Sequence, residues 1–516
     1  MLQLVTAERM RELDRRAVQS GISSLILMEN AGRALAHRAS ELLEHRPSDI
    51  AVLAGPGQNG GDGLVAARHL SAMGHRVKVG LFGASENLPQ EASLNLGMLS
   101  VCPVQVLCAS KTPPQEVLAW LGEPHLIVDA LLGIGLKGDP RPPISVAIEW
   151  INSAEAPVVA CDIPSGLDAD TGFPYTPTVK AGLTVTMGLP KVGMYSYPGR
   201  SYCGTIVTES LSLPSTFFHN ASLTKAVFLE DAREHMPRRA SDHHKGMSGR
   251  VTVVAGSLGM AGASVLAAIG ALRGGAGTVT LFCPGRVYEV CASMAPEIMV
   301  IPVGDGATMK PGDEQISLVR EHMSKSSAVV LGPGLGRGES QTAFVARVLK
   351  SLTVPCVLDA DGLFALGHLG GLTYLAGLAG KFILTPHPKE LADLMGCSVR
   401  DLAADRMGHA MKASHEAKAV VCLKGAGTCV ANYTGEGLVN TSGDPAMATG
   451  GAGDVLAGVI AALIGQGLSL WEAAWVGVFW HGLAGEIARD KQGSYGVLAG
   501  DIAQCLPEAR RLITGR

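Results

Sequence analysis

Short apolar runs that stop at glycine, aspartate or serine recur along this chain, and helical patterns separate them. Ile50 to Ala54, Val77 to Leu81, Leu126 to Asp129, Val158 to Asp162 and Ala181 to Met187 form a first set. A second set comprises Thr278 to Phe282, Ile298 to Pro302, Ala328 to Leu331, Cys356 to Asp359, Phe382 to Pro386 and Val420 to Leu423. A strand that is apolar on both faces needs cover on both. Alternation of such strands with helices therefore predicts parallel sheets between helical layers. The predicted fold class is α/β, with doubly wound three-layer domains whose ligands bind beyond the C-terminal strand ends. The 65 glycines among 516 residues fit the many tight strand-to-helix turns this requires.

A chain of 516 residues exceeds one core. The pattern lapses between Pro214 and Leu229 (PSTFFHNASLTKAVFL), which predicts a boundary near 212–225 and domains at 1–212 and 225–516. A formal charge of −4 without a long Lys/Arg run argues against a nucleic-acid partner. The 11 cysteines form no CxxC pair and there is no HExxH, so most read as small buried hydrophobes in a reducing cytosol. The N-terminus mixes both charge signs and is not a secretory signal. Val455 to Trp471 is nearly uncharged, but Gly465-Gln466-Gly467 interrupts it, predicting two core helices joined by a turn. A cytoplasmic protein with no membrane partner is expected.

In the first half, GPGQNGGDG (Gly55 to Gly63) follows the first strand, and the helix is expected after it, at LVAARHL. The stretch matches neither the dinucleotide fingerprint nor the P-loop. The next strand ends run into ALLGIGLKGD (Ala130 to Asp139), CDIPSGLDADTG (Cys161 to Gly172) and GLPKVGM (Gly188 to Met194). Each Asp taken singly reads as a turn or cap residue, whereas together the polar strand ends point to a site.

In the second half, ATGGAGDVL (Ala448 to Leu456) places glycines before an apolar helix, so unpaired first-turn amides converge into an anion cup beside Asp454. Asp454 reads either as a general base on a hydroxyl or as a mere helix cap. KGAGT (Lys424 to Thr428), between two short strands, can wrap a nucleotide, with Lys424 directed to phosphates or simply at the surface. DADG (Asp359 to Gly362) offers two carboxylates. His387 stands between two prolines, either as a site residue or as a loop histidine. Any Mg²⁺ is expected to be held mainly by phosphates.

The set GSLGMAGA, GPGLG, DADG, TPHPKE, KGAGT and ATGGAGD resembles the ribokinase-like ADP/ATP-dependent NAD(P)H-hydrate dehydratases. The set LMENAG, GPGQNGGDG, DALLGIG, DIPSGLDADTG and PK resembles the NAD(P)H-hydrate epimerase domain. Together, in this order, they resemble the bifunctional NAD(P)H-hydrate repair enzymes over nearly the whole chain. The resemblance implies a Rossmann-like first domain and a ribokinase-like second one. It also implies a K⁺ ion on Asn59, Asp129 and Ser165, substrate loops at Gln58, Asn59, Gly60, Gly61 and Asp62 and at Gly133, Ile134, Gly135, Leu136, Lys137, Gly138 and Asp139, and Asp162 as the proton-transfer acid. The family usually has two asparagines before GGDG, where this chain has Gln58 and Asn59.

For the second domain the resemblance implies hydrate contacts at Ala263, Gly334 and His387, adenylate contacts at Lys424, Gly425, Ala426, Gly427, Thr428 and Gly453, and Asp454 as the catalytic acid. The implied chemistry is phosphoryl transfer from ADP (or ATP, with Mg²⁺) to the ring hydroxyl, then loss of phosphate. The implied partners are NADHX, NADPHX and ADP, in a homo-oligomer. One alternative is a ribokinase-like vitamin-precursor kinase fused to a non-catalytic ligand-binding domain. It explains ATGGAGD and KGAGT equally well and leaves the N-terminal set without a task.

Overall fold

The computed structural model describes residues 1–219, 222–378 and 381–515. The chain divides into two compact units between Thr224 and Lys225, with Met1–Leu2 belonging to the second. Residues 220–221, inside the stretch where the pattern lapses, lie outside the described residues.

In the first unit, seven strands lie in the order Val104–Cys108, Arg76–Leu81, Asp49–Ala54, Leu126–Ala130, Val158–Cys161, Leu183–Met187, Thr205–Glu209, and all neighbours are parallel. The chain builds outward from Asp49–Ala54 in one direction, returns to its other side and builds the opposite way. Strand order therefore reverses between Asp49–Ala54 and Leu126–Ala130, the Rossmann-like arrangement whose reversal point opens a ligand crevice. Successive residues serve opposite layers. Ile50, Val52 and Ala54 pack with Leu27, Leu35 and Leu64, while Ala51 and Leu53 pack with Val117, Leu118 and Ile148. The outer strands Val104–Cys108 and Thr205–Glu209 escape the sequence pattern because they are edge strands, half-exposed and interrupted by polar residues.

The helix after the first strand begins at Gln58, not at Leu64, so QNGGDG is helical rather than a loop. Its glycines serve close packing. A Cβ at Gly60 would lie 2.0 Å from the Gly55 carbonyl oxygen, and one at Gly63 would lie 2.6 Å from the Ala130 methyl. Without side chains there, the first turns of Gln58–Ala72 press directly onto the strand ends.

The second unit holds nine strands of one sheet, in the order Gly437–Asn440, Cys429–Ala431, Val420–Leu423, Phe382–Leu384, Cys356–Leu358, Ala328–Leu331, Arg250–Val254, Thr278–Pro284, Met299–Val303, and the sheet continues past Gly437–Asn440 with Thr224–Val227 and Leu2–Gln3 at the unit boundary. From Val420–Leu423 to Met299–Val303 every pair is parallel, and order reverses between Arg250–Val254 and Ala328–Leu331. Val420–Leu423 and Cys429–Ala431 form an antiparallel hairpin around KGAGT.

The apolar helix Ala452–Gly465 is buried nearly all round. It meets Ala261–Arg273 backbone to backbone, since a Cβ at Gly458 would stand 2.0 Å from the Ala267 oxygen and one at Gly270 2.3 Å from the Val455 oxygen. After the turn at Gln466-Gly467, Ser469 and Glu472 form a capping box that starts Leu470–Gln492. These are the two core helices the sequence implies. Among the described residues no helix is long and apolar enough to cross a membrane. All eleven cysteines are unpaired.

Candidate active sites

At the reversal point of the first sheet lies a cavity of about 720 Å³, within the size range of small-molecule and cofactor sites. The helix start supplies Gln58, Asn59 and Asp62, the turn after Leu126–Ala130 supplies Gly133 to Lys137, and the end of Val158–Cys161 supplies Asp162. The structure does not bring every expected residue to this wall. Gly60 and Gly61 are spent on packing, with a Cβ at Gly61 only 2.5 Å from the Met28 methyl. Gly138 and Asp139 line an adjoining hollow with Arg141, and the Asp139 carboxylate accepts from the Thr176 amide at 2.9 Å. Lys137 is exposed and pairs with Asp168 at 3.5 Å.

Asn59, Asp129 and Ser165 do converge. Asn59 Nδ2 donates to the Leu132 carbonyl at 2.9 Å, leaving its Oδ1 as an oxygen donor. Ser165 Oγ donates to Asp129 Oδ1 at 2.6 Å, accepts from the Leu132 amide at 2.8 Å, and its own amide reaches Asp129 Oδ2 at 2.8 Å. Burial pushes the Asp129 carboxyl up to about 6 against these hydrogen bonds, and among the described residues no lysine, arginine or histidine pairs with it. A buried carboxylate with a hydroxyl, an amide oxygen and a carbonyl around it, but no protein cation, has the hard-oxygen chemistry that suits an alkali ion.

Asp162 sits at positive φ, +64°, just past its strand. Its Oδ1 takes a salt bridge from the fully buried Lys191, the Met187 amide at 2.9 Å and the Thr186 hydroxyl at 3.2 Å. Lys191 Nζ also donates to Thr186 Oγ1 at 3.0 Å. Lys191 lies in the quoted PK pair, but nothing in the spacing marks it as the counter-charge of Asp162. Asp62 and Asp14 complete a group of three carboxyls around one lysine. Burial, followed by the charges of Asp162 and Asp14, raises Asp62 well above the usual carboxylate value.

In the second unit the loops after five parallel strands meet. Gly334, at φ +61°, approaches helix Ala261–Arg273 so closely that a Cβ would lie 3.2 Å from the Ala263 methyl, bringing two expected hydrate contacts together. Asp359 and Lys424 form a salt bridge of 2.7 Å, with Asp359 almost fully buried. Asp361 is committed elsewhere, accepting from the Gly336 amide and Arg337 Nε, both at 2.9 Å. His387 turns out to be a helix N-cap. Its Nδ1 accepts from the Glu390 amide at 3.2 Å, and Glu390 caps back at 2.8 Å, while half of its side chain stays exposed. The Lys424 amide donates to the Pro386 carbonyl at 2.9 Å, tying TPHPKE to KGAGT. Gly425, Gly427 and Thr428 form the tight hairpin turn, with Gly425 and Ala426 exposed.

Gly451, at φ +92°, caps the helix that carries Asp454, and no side chain caps it. Asp454 is therefore not held as a cap. A Cβ at Gly453 would come 3.0 Å from Lys424 Nζ, so the ammonium stands over the first helical turn. Burial pushes the Asp454 carboxyl up to about 7; Asp359, Asp361 and Glu390 reinforce this and Lys424 opposes it. Burial also works against charge on Lys424, but Asp359, Glu390 and Asp454 outweigh it and hold the amine above its usual value. Glu390 is a participant that the sequence reading left without a role. Its carboxyl is raised mainly by burial. A base near neutrality, a cation and unpaired amides at one helix start can deprotonate a hydroxyl and neutralise phosphoryl charge.

A two-domain α/β protein with this pair of sites has recognisable relatives. Residues 251–508 match the family described as NAD(P)H-hydrate dehydratase, and residues 24–193 match the family described as YjeF-related protein N-terminus. A ribokinase-like superfamily protein of Enterococcus faecalis superposes with a TM-score of 0.50 at 23% identity, covering 57% of this chain and 98% of that one. The bifunctional NAD(P)H-hydrate repair enzyme of Moorella thermoacetica is 37% identical, across 98% of this chain and 96% of the relative. That of Coxiella burnetii is also 37% identical, across 99% of this chain and 100% of the relative. The chain belongs to the bifunctional NAD(P)H-hydrate repair enzyme family.

Proposed function

We propose that the first unit interconverts the R and S epimers of hydrated NAD(P)H and that the second dehydrates the S epimer at the expense of ADP or ATP. The observation that carries this reading is the Asp454–Lys424–Asp359 arrangement at a helix start, in a chain matched end to end by repair enzymes. In the second unit Asp454, ionised, takes the proton of the ring hydroxyl. The hydroxyl oxygen bonds to the terminal phosphorus of the nucleotide as the bridging P–O bond breaks. Lys424 and the amides of Gly451 to Gly453 face the moving charge. Phosphate then leaves with the C–O bonding pair as the ring-nitrogen lone pair forms C=N, and the neighbouring ring carbon gives its proton to water, so that the double bond returns. Among the described residues no cluster of three acidic, histidine or cysteine side chains could hold a metal ion. Mg²⁺ is assigned to the nucleotide phosphates, where it would screen their charge. Ala263, Gly334 and His387 are assigned to the hydrate and Lys424 to Thr428 with Gly453 to the adenylate.

In the first unit Asn59, Asp129 and Ser165 are assigned to K⁺, which would supply positive charge for the anionic part of the substrate. Asp162, positioned by Lys191, is assigned to proton transfer. The working form is proposed to be a cytoplasmic homo-oligomer, in keeping with cysteines that are all unpaired. The test supplies both epimers with ADP and Mg²⁺ and follows the reduced-nicotinamide absorbance. Complete recovery from the mixture supports the reading. Recovery of neither epimer, with a pyrimidine alcohol phosphorylated instead, sinks it.

A further inference from the structure

This inference rests on the epimerase reading of the first unit. Hydration of a dihydronicotinamide ring puts the hydroxyl on the carbon bonded to the ring nitrogen, because water adds to the electron-poor end of an enamine. The nitrogen lone pair can expel that oxygen once it is protonated, leaving a flat iminium carbon open on both faces. Inversion then needs one group to protonate the departing oxygen and another to accept a proton from the incoming water. Asp162 can be only one of these.

The helix Ala7–Gln19 offers the other. Met10, Arg11, Asp14 and Val18 from its inner face line the 720 Å³ cavity, and Asp14 is the one carboxyl among them. Among the described residues Asp14 has no hydrogen-bond or ion-pair partner, in contrast to Asp162, whose Oδ1 is held by three donors. Its carboxyl thus stands on the cavity wall, where it can pass a proton to a bound ligand. We propose that Asp14 is a catalytic acid that protonates the departing hydroxyl while Asp162 receives the proton of the incoming water.

Burial pushes the Asp14 carboxyl up to about 6; Lys191 opposes this and Asp162 reinforces it. It therefore keeps a protonated fraction near neutrality, where a general acid works best. The charged groups facing it around the cavity are Asp62, Asp162, Lys191, Arg11 and Lys137. The step balances without an added oxidant or reductant. The C–O bond breaks and its pair leaves with an oxygen that becomes water on taking the Asp14 proton, as the nitrogen lone pair forms C=N. Water then adds on the other face, the C=N pair returns to nitrogen, and the water's proton goes to Asp162. The reverse inversion uses the two carboxyls in exchanged roles.

The experiment follows R-to-S exchange by chromatography with the full-length protein, without nucleotide, in ¹⁸O-water across pH 5 to 9, a range set roughly around the working pH of a general acid. Asp14→Asn is expected to lower kcat about 10²-fold while KM stays within about threefold. The wild-type fall in kcat above a pH of about 6 should vanish with it, and wild-type product should carry one label per inversion. An unchanged kcat, a loss confined to KM, or unlabelled product overturns the proposal. If Asp14→Asn abolishes cooperative melting of the first unit, Asp14→Glu decides. A shifted midpoint of the pH profile supports the role, and an unmoved midpoint overturns it. Wild-type protein that does not exceed the spontaneous rate would instead defeat the epimerase reading itself.

Discussion

The two sites stand at equivalent places, beyond the C-terminal ends of parallel strands where strand order reverses, yet they treat their carboxylates in opposite ways. In the first unit Asp162 is neutralised from inside the protein by Lys191, which has no exposure at all. Among the described residues Asp14 is left unpartnered on the cavity wall. In the second unit the lysine keeps access to the site, standing over the helix start beside Gly453, and Asp454, the proposed base, has no ion pair of its own among the described residues. A buried lysine holds Asp162 in one orientation for its proposed part in proton transfer. A lysine at the site's surface remains available to a charged ligand. The same strand-end architecture thus serves neutral water chemistry in one unit and phosphoryl chemistry in the other.

The largest expected effect sharpens this contrast. Asp454→Asn should reduce dehydration of the S epimer by about 10³- to 10⁴-fold while R-to-S exchange proceeds at the wild-type rate. Loss of both activities would mean that the units do not work independently. Next comes Lys191→Ala, which strips a buried carboxylate of its counter-charge and should destabilise the first unit by about 3–5 kcal/mol. Thermal melting of the full chain should show the first transition moved down and the second unmoved. A pair of unshifted transitions would mean that Asp162 is stabilised by Thr186 and the Met187 amide alone.

A smaller effect concerns pH. On the proposed role of Asp454 as an ionised base, with its carboxyl raised to about 7, dehydration of the S epimer should climb about tenfold from one pH unit below that value to well above it. That ascending limb is opposite in sign to the descending limb expected for exchange in the first unit, where Asp14 acts protonated. Two limbs of the same sign would break the comparison. The smallest expected effect is His387→Ala. Loss of the N-cap should cost about 1 kcal/mol of stability, read as a lower melting temperature of the second unit. If His387 also meets the hydrate, KM for the S epimer rises and KM for ADP does not.

The sheets were largely readable from the chain because strands buried on both faces must be continuously apolar. Ala328–Leu331 and Val420–Leu423 appear at the residues expected. Edge strands such as Thr205–Glu209 were not, since one open side tolerates polar residues and blurs the pattern. The start of Gln58–Ala72 was misplaced because glycine signals a turn from local propensity, and its value for tight packing against Gly55 and Ala130 depends on residues far away in sequence. At the candidate sites, the glycine-rich strand ends and their aspartates stood out, as did the glycines before Asp454. Their partners did not.

The order of apolar runs, the glycines at their ends and the joint motif order determined by themselves the α/β fold class and the family. Local chemistry is enough for that, since each strand end carries its own turn and its own acid. Only the tertiary structure decided which charges meet: Lys191 with Asp162, Lys424 with Asp359, and, among the described residues, Asp14 with none. A carboxyl's proton affinity follows from burial and from charges within a few ångströms, and the fold gathers those charges from segments that the linear chain keeps far apart.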